Sequence, residues 1–337
     1  MSAGSYSRGP WRGIFWAALG LVLLAAALGG GGAWWAFRVY DAPGPTADEV
    51  VVVLPRGVGL PGIAERLHQA GVIAYPEIWA LTVKALGEGQ ALKAGEYRFK
   101  ARVTPREATL KLREGDVVIR RLTVPEGLSA RQALALIAAT EGLEGPTPDG
   151  IEEGSLLPET YRYSWGDQRA QIVERMRRGM AEAIDKLWLA RADNLPYKTR
   201  REALVLASIV EKETGLASER PRIASVFVNR LRLGMKLQSD PTVIYGLTKG
   251  AGPLDRPLSR ADLAQATPWN TYAIDGLPPT PIALPGIDAI RAVLNPDRTD
   301  ELYFVADGSG GHAFAKTLAD HNRNVARYRS LQQGERK

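Results

Sequence analysis

Between Arg12 and Arg38 the chain runs for 25 residues, Gly13 to Phe37, without a charge. At about 1.5 Å of rise per residue, such a run makes roughly 37 Å of helix, enough to cross a hydrocarbon layer with some tilt. Trp11 and Trp16 stand near one end, and Trp34 and Trp35 near the other. Tryptophan favours both membrane–water boundaries. Arg8 and Arg12 precede the run, whereas Arg38 is followed by Asp41, Asp48 and Glu49. The positive-inside tendency then predicts residues 1–12 as a cytoplasmic tail, 13–37 as a transmembrane helix, and everything beyond as external. A cleaved signal peptide is the competing reading, with Ala25-Ala26-Ala27 as a small-residue processing site. The apolar stretch continues well past those alanines, which favours a retained anchor. The Gly29–Gly32 run is flexible for a helix but introduces no charge.

Composition narrows the chemistry. The 337 residues suggest about two domains outside the apolar segment. Cysteine is absent, which excludes disulfide scaffolds, thiolate metal sites and cysteine nucleophiles. Histidine occurs only at 68, 312 and 321, too scattered for a three-histidine metal centre, so no metal is expected. There is no G-x-x-x-x-G-K-[ST] phosphate loop, no H-E-x-x-H and no G-x-S-x-G nucleophile elbow, so no cofactor is expected either. The formal charge is +6. The cations fall in short clusters such as Arg120-Arg121 and Arg175/Arg177/Arg178, interleaved with acids. That pattern speaks against a nucleic-acid partner.

The fold class predicted is α+β: a single transmembrane helix, a small αβ module, then a larger mixed α/β domain. Residues 38–49 form a Pro/Gly-rich linker. The span 50–120 reads as a strand (50–54), two helices (60–70 and 76–86), a strand (92–99), a helix (106–112) and a strand (117–124). Thr104 and Ser129 are expected N-caps, with Pro105 in the first helical turn. Such strand–helix–helix–strand modules in cell-envelope proteins either bind glycans or act as spacers. From residue 121 to 337 the helical patterns lengthen. Helices are predicted at 167–189 and 202–213, the second apolar on nearly every side and therefore buried. Gly215 is expected to cap it and Ser218 to open the next helix. A strand is predicted at 302–306, a glycine-rich turn at 307–312 and a terminal helix at 317–331.

The most informative stretch is Leu206-Ala-Ser-Ile-Val-Glu-Lys-Glu-Thr-Gly215. A buried helix ends there with two carboxylates, Glu211 and Glu213. Apolar surroundings and the negative end of the helix dipole both raise a carboxyl pKa, as a general acid working near neutrality requires. The two carboxylates point about 200° apart around the helix, since each residue turns about 100°. The residues alone leave open whether either is catalytic or merely a solvated acid neutralised by Lys212. Gln238-Ser-Asp-Pro-Thr242 and Asn270-Thr-Tyr272 offer neutral hydrogen-bonding groups beside an aromatic ring, a composition suited to sugars and shared by ordinary polar loops.

Several strings occur together in order: Glu153-Gly-Ser-Leu-Leu-Pro-Glu-Thr-Tyr161, Leu206–Thr214, Ala224-Ser-Val-Phe-Val-Asn-Arg-Leu231, Met235–Tyr245, Leu258-Ser-Arg260, Asn270-Thr-Tyr272, Gly276-Leu-Pro-Pro279, Tyr303–Gly308 and His312-Ala-Phe314. With these, the chain from about Val50 to Tyr328 closely resembles the endolytic murein transglycosylases of the YceG-like (MltG) family. It departs from the family at Leu157 and Glu159, where an aromatic residue and an Asp are usual. The resemblance implies a single-pass inner-membrane protein with a LysM-like module (50–120) and a periplasmic catalytic domain (121–337). It implies cleavage inside nascent peptidoglycan strands, which would terminate strand elongation, and peptidoglycan synthases as candidate partners. It assigns the catalytic glutamate to Glu211; residue type and motif membership alone make Glu213, Asp240, Asn270 and Tyr272 candidate sugar contacts. Two other functions compete: a hydrolytic muramidase using a second carboxylate, Asp240 or Glu213, and a non-catalytic glycan-binding scaffold.

Overall fold

The computed structural model describes residues 11–334, so nearly all of the expected cytoplasmic segment lies outside them. Helix α1 (Trp11–Asp41) extends four residues beyond the predicted span, through the Gly29–Gly32 run. From Ile14 to Asp41 it is long and apolar enough to cross a membrane. Trp16, Leu21, Leu24, Leu28 and Trp34 on it are all well exposed.

The rest divides into two compact units. Among the described residues, one consists of the chain from Trp11 to Ile119 with Ser164–Gly166; the other consists of Arg120–Tyr163 and the chain from Asp167 to Gly334. In the first, β1 (Val50–Leu54) is followed by α2 (Leu60–Gln69), α3 (Pro76–Ala85), β2 (Gly95–Phe99) and α4 (Pro105–Glu114). Strands β1 and β2 pair antiparallel, with Val50 opposite Phe99 and Leu54 opposite Gly95. Helix α2 buries Ile63, Ala64 and Leu67, the stripe its periodicity predicts. These meet Leu54, Trp79, Val83, Tyr97, Phe99 and Leu112 in one core. Thr104 caps α4 reciprocally with Glu107, and Pro105 occupies the first turn.

The strand β3 (Ile119–Thr123) bridges to the second unit and pairs with β5 (Thr160–Ser164), which follows α5 (Ala130–Ala139) and β4 (Leu143–Glu144). Ser129 caps α5 as expected. The next helix begins two residues later than predicted. Asp167–Gln168 forms β6, parallel to β4, and α6 occupies Arg169–Leu189.

Helices α7 (Arg200–Glu213), α8 (Arg220–Arg232) and, later, α11 (Ile287–Leu294) form the centre of the second unit. Leu206, Ile209, Val210, Ile223, Phe227, Ile290 and Val293 interdigitate there with almost no exposure. Two expectations fail around α7. Thr214 takes an extended conformation and stops the helix, so Gly215 adopts no left-handed cap. Helix α8 opens at Arg220 rather than Ser218, with a proline in its first turn, where the missing N–H is not needed. Between α8 and α11 lie α9 (Asp240–Thr248) and α10 (Arg260–Ala264). The chain ends with an antiparallel hairpin, β7 (Tyr303–Ala306) and β8 (His312–Ala315), and α12 (Leu318–Gly334). The glycine-rich segment 307–311 is the turn of that hairpin.

Candidate active site

Helix α7 is anchored at its start by a reciprocal cap. Thr199 Oγ1 accepts from the Glu202 N–H, and the Glu202 carboxylate accepts from the Lys198 and Thr199 N–H groups at 2.8 Å. At its far end the two glutamates meet different surroundings. Glu211 is buried, its side chain 4% exposed. Arg220 Nη2 donates to its Oε1 at 2.8 Å, and the Gly286 N–H donates to its Oε2 at 2.9 Å. The same Arg220 nitrogen reaches Glu126 at 3.1 Å. A Cβ at Gly286 would lie 1.8 Å from a Glu126 oxygen, so a larger residue there would push the Glu126 carboxylate aside. Burial pushes the Glu211 carboxyl up, and the Gly286 N–H and Arg220 guanidinium pull it back. Lys212 donates to the Gly127 carbonyl at 3.1 Å, and its charge helps hold the Glu211 carboxyl down.

Glu213 lines a cavity of about 470 Å³, together with Arg230, Gln238, Asp240, Tyr272, Tyr303 and His321. Ser239 Oγ donates to its Oε1 at 2.5 Å. No hydrogen bond to its Oε2 is made by any described residue. Its carboxyl is pushed up to about 7, above all by burial, with the nearby Asp240 charge adding to the effect. Ser239, His312 and Arg230 act in the opposite direction and do not overcome it. Half of the Glu213 side chains are then protonated near neutral pH, the condition for donating a proton and later taking one back.

Ser239 is held in place by a buried hydroxyl network. Its N–H donates to Thr271 Oγ1 at 2.9 Å, its carbonyl accepts from Thr242 Oγ1 at 2.6 Å, and Thr242 and Thr271 share a bond at 2.8 Å. Gln238 beside it adopts a left-handed φ of 52°, costing about 1–2 kcal/mol for a side chain with a Cβ. Its N–H bond to the Thr271 carbonyl, 3.1 Å, helps fix that strained turn against the cavity. Asp240 opens α9, where the helix dipole favours its charge, and accepts from Tyr272 Oη at 2.6 Å. Burial and that bond raise the Tyr272 pKa.

Of the candidate residues, Glu213, Asp240 and Tyr272 are brought together on one cavity. Glu211 does not line it. Asn270 is also absent from it: the residue is 1% exposed and its amide is fully used. Nδ2 donates to the Leu263 and Gln265 carbonyls at 2.9 and 2.7 Å, and Oδ1 accepts from the Tyr272 N–H at 2.9 Å. Asn270 therefore braces the loop that delivers Thr271 and Tyr272. Sequence reasoning missed Ser239, Thr271, Arg230, Tyr303 and His321. Ser239 and Thr271 lie in the two polar segments read as sugar-binding, where they serve instead as internal braces; Arg230 and Tyr303 lie within the recognised strings without a role, and His321 carried no signal. Its ring stacks on Tyr303, centroids 5.3 Å apart, and its buried Nδ1 has no hydrogen-bond partner. Burial lowers its pKa, so it is neutral at pH 7. Among the described residues no three His, Cys, Asp or Glu side chains are grouped to hold a metal ion.

A second cavity of about 380 Å³ flanks the same helix end, lined by Leu128, Ser129, Lys212, Pro241, Ile244 and Tyr245 among others. Lys212 and Pro241 adjoin Glu213 and Asp240 in sequence. The end of α7 and the start of α9 thus carry one cavity each way.

Comparison with known proteins agrees with this architecture. The YceG-like family profile matches residues 52–327. An endolytic murein transglycosylase of Bacillus subtilis (strain 168) is 30% identical over 311 residues, covering 83% of this chain and 84% of the relative. One from Streptococcus pneumoniae serotype 2 is 29% identical over 328 residues, covering 83% of this chain and 58% of that longer protein. The crystal structure of a yceG-like protein from Listeria monocytogenes aligns with a TM-score of 0.51 at 30% identity, over 82% of this chain and 99% of that one. With the profile spanning most of its length, the chain belongs to the YceG-like family.

Proposed function

We propose that the protein is a membrane-anchored lytic transglycosylase that cuts within peptidoglycan glycan strands, with Glu213 as its single proton-transfer group. The observation that carries this reading is a carboxyl with a midpoint near neutrality on the wall of a cavity large enough for sugar rings. The relatives named endolytic murein transglycosylases support the substrate class. The protonated Glu213 gives its hydrogen to the oxygen joining N-acetylmuramic acid to N-acetylglucosamine, and that C–O bond breaks. The muramyl C6 hydroxyl then bonds to C1, and its proton returns to the Glu213 carboxylate. No water is consumed, and the product carries a 1,6-anhydro end. Asp240 and Tyr272 are the proposed sugar contacts, and the flat Tyr303–His321 pair offers a stacking face.

The family motif had pointed to Glu211. Its two oxygens are occupied by Arg220 and the Gly286 N–H. Glu211 is better read as the brace that fixes the end of α7, while Glu213 meets the substrate. We further propose that α1 tethers the enzyme in the inner membrane with its catalytic unit in the periplasm. There it would cut strands emerging from peptidoglycan synthases and so terminate their elongation. Residues 50–120 are read as a LysM-like module.

One observation favours a second reading. Asp240 lines the same cavity as Glu213, and a carboxylate pair is what a hydrolytic muramidase needs. Digestion of uncrosslinked glycan followed by mass spectrometry separates the two. The lyase gives anhydro ends, lighter by one water than the reducing ends of hydrolysis. Reducing ends as the main product would replace the lytic mechanism with the hydrolytic one.

A further inference from the structure

The first unit carries a basic cavity beside the point where the chain leaves its apolar helix. The segment after α1 is stitched to the turn after β2. The Gly44 N–H donates to the Val103 carbonyl at 3.0 Å, and the Arg102 N–H to the Thr46 carbonyl at 2.9 Å. Arg106 at the start of α4 grips Asp41, the last residue of α1, through two bonds of 2.5 and 3.2 Å. Trp35 lies against Tyr75, ring centroids 5.6 Å apart, and Tyr40 is buried. These contacts seat the 100–104 turn within a few residues of the end of the membrane-length helix.

That turn and its neighbours line a cavity of about 430 Å³ with Arg98, Lys100, Arg102 and Lys111, against one acid, Glu107. Glu107 is committed to its helix cap, accepting from Thr104 N–H at 2.9 Å and Thr104 Oγ1 at 3.1 Å. Lys111 pairs with Asp116. Arg98 meets Glu49 at 3.4 Å with both side chains more than half exposed, a pair that solvent and ions easily exchange. Among the described residues, the Lys100 and Arg102 side chains have no partner. Arg102 also holds a left-handed φ of 56°, a region that side chains with a Cβ rarely enter. Glycine would sit there without strain, yet the position carries a guanidinium beside three other cations.

We propose that this cavity seats the phosphate of an anionic membrane lipid. Arginine forks bind phosphate oxygens in pairs, and the site lies where headgroups would surround the emerging chain. The inference rests on the reading of α1 as a membrane anchor. Each basic side chain at an anionic surface is worth about five-fold in partitioning, so removing three should cost on the order of 100-fold.

The test uses the full chain in a neutral detergent, titrated with short-chain phosphatidylglycerol, phosphatidylcholine or inorganic phosphate, with bound molecules counted by native mass spectrometry. The wild type should retain phosphatidylglycerol at least ten-fold more tightly than phosphatidylcholine. Lys100→Gln should lower that preference about five-fold, and Arg98→Gln/Lys100→Gln/Arg102→Gly should abolish it, with glycan cleavage unchanged in all. Lys100 is exposed and Arg102→Gly relieves the backbone, so loss of folding would not imitate this result. Equal retention of the two lipids by the wild type, or a preference that survives in the triple variant, would overturn the site. Inorganic phosphate binding as tightly as phosphatidylglycerol would overturn the lipid assignment. Alkaline extraction of membranes tests the anchor separately. Release of the protein there removes the membrane reading itself, whereas a retained protein without lipid preference loses only this site.

Discussion

Replacing Glu213 with Gln should leave a folded protein that cuts glycan about 10²–10⁴-fold more slowly, the contribution typical of a positioned proton-transfer group. Gln keeps the shape and can still accept from Ser239, so the loss isolates the proton. Glu211→Gln should retain much more activity, because that carboxyl is engaged by Arg220 and Gly286 rather than facing the cavity. The Glu213 exchange also has a thermodynamic signature of opposite sign. A carboxyl whose midpoint rises from 4.5 to about 7 on folding binds its proton more tightly in the native state. That costs nothing below pH 4.5, where both states are protonated. The cost grows between pH 4.5 and 7 and is complete above it, up to about 3 kcal/mol. Glu213→Gln removes it. The variant should therefore unfold at a higher temperature than wild type at pH 8 and at nearly the same temperature at pH 4.5. A dead enzyme more stable than the living one is the mark of a functional group held at the fold's expense. Calorimetry at the two pH values checks it, and equal midpoints at pH 8 would contradict it.

The largest loss of stability should come from Arg220→Met. Arg220 and Glu211 are both buried, and removing one member of such a pair costs about 3–5 kcal/mol, because the other charge is left without a partner. The stranded Glu211 would take up a proton as the pH falls, so the deficit should shrink towards pH 5. Adding Glu211→Gln to Arg220→Met should restore part of the stability at pH 8. Denaturant titration measures all of these, and a deficit under about 1 kcal/mol would mean the pair does not brace the end of α7.

Much of this architecture was legible residue by residue. The Ile63, Ala64 and Leu67 stripe, the caps at Thr104 and Ser129, and the apolar run behind α1 are local patterns with local causes. The choice between Glu211 and Glu213 was not of that kind. The helix fixes the 200° between them, but apolar residues surround α7 on nearly every side, so periodicity names no outer face. The outcome depends on what chain folds against each carboxylate. Ser239 arrives 26 residues later and Gly286 75 residues later. Asn270 illustrates the same limit. An amide in a polar loop can meet a sugar or a backbone carbonyl, and only the positions of Leu263 and Gln265 decide that it meets carbonyls. His321 reaches the cavity only because α12 packs on β7, a contact without any sequence mark.

In the proposed reaction a glutamic acid protonated near neutrality drives the cut. That role is tested most directly by the pH dependence of kcat/KM for release of anhydro ends, which reports the free enzyme's essential groups. The acid form must be present, so the rate should hold on the acidic side and fall about ten-fold per pH unit above a midpoint near 7. Ser239→Ala removes a donor that steadies the carboxylate, and should move that midpoint upward. A falling limb near pH 4.5, the ordinary range of an exposed glutamate, or a midpoint indifferent to Ser239→Ala would contradict the account.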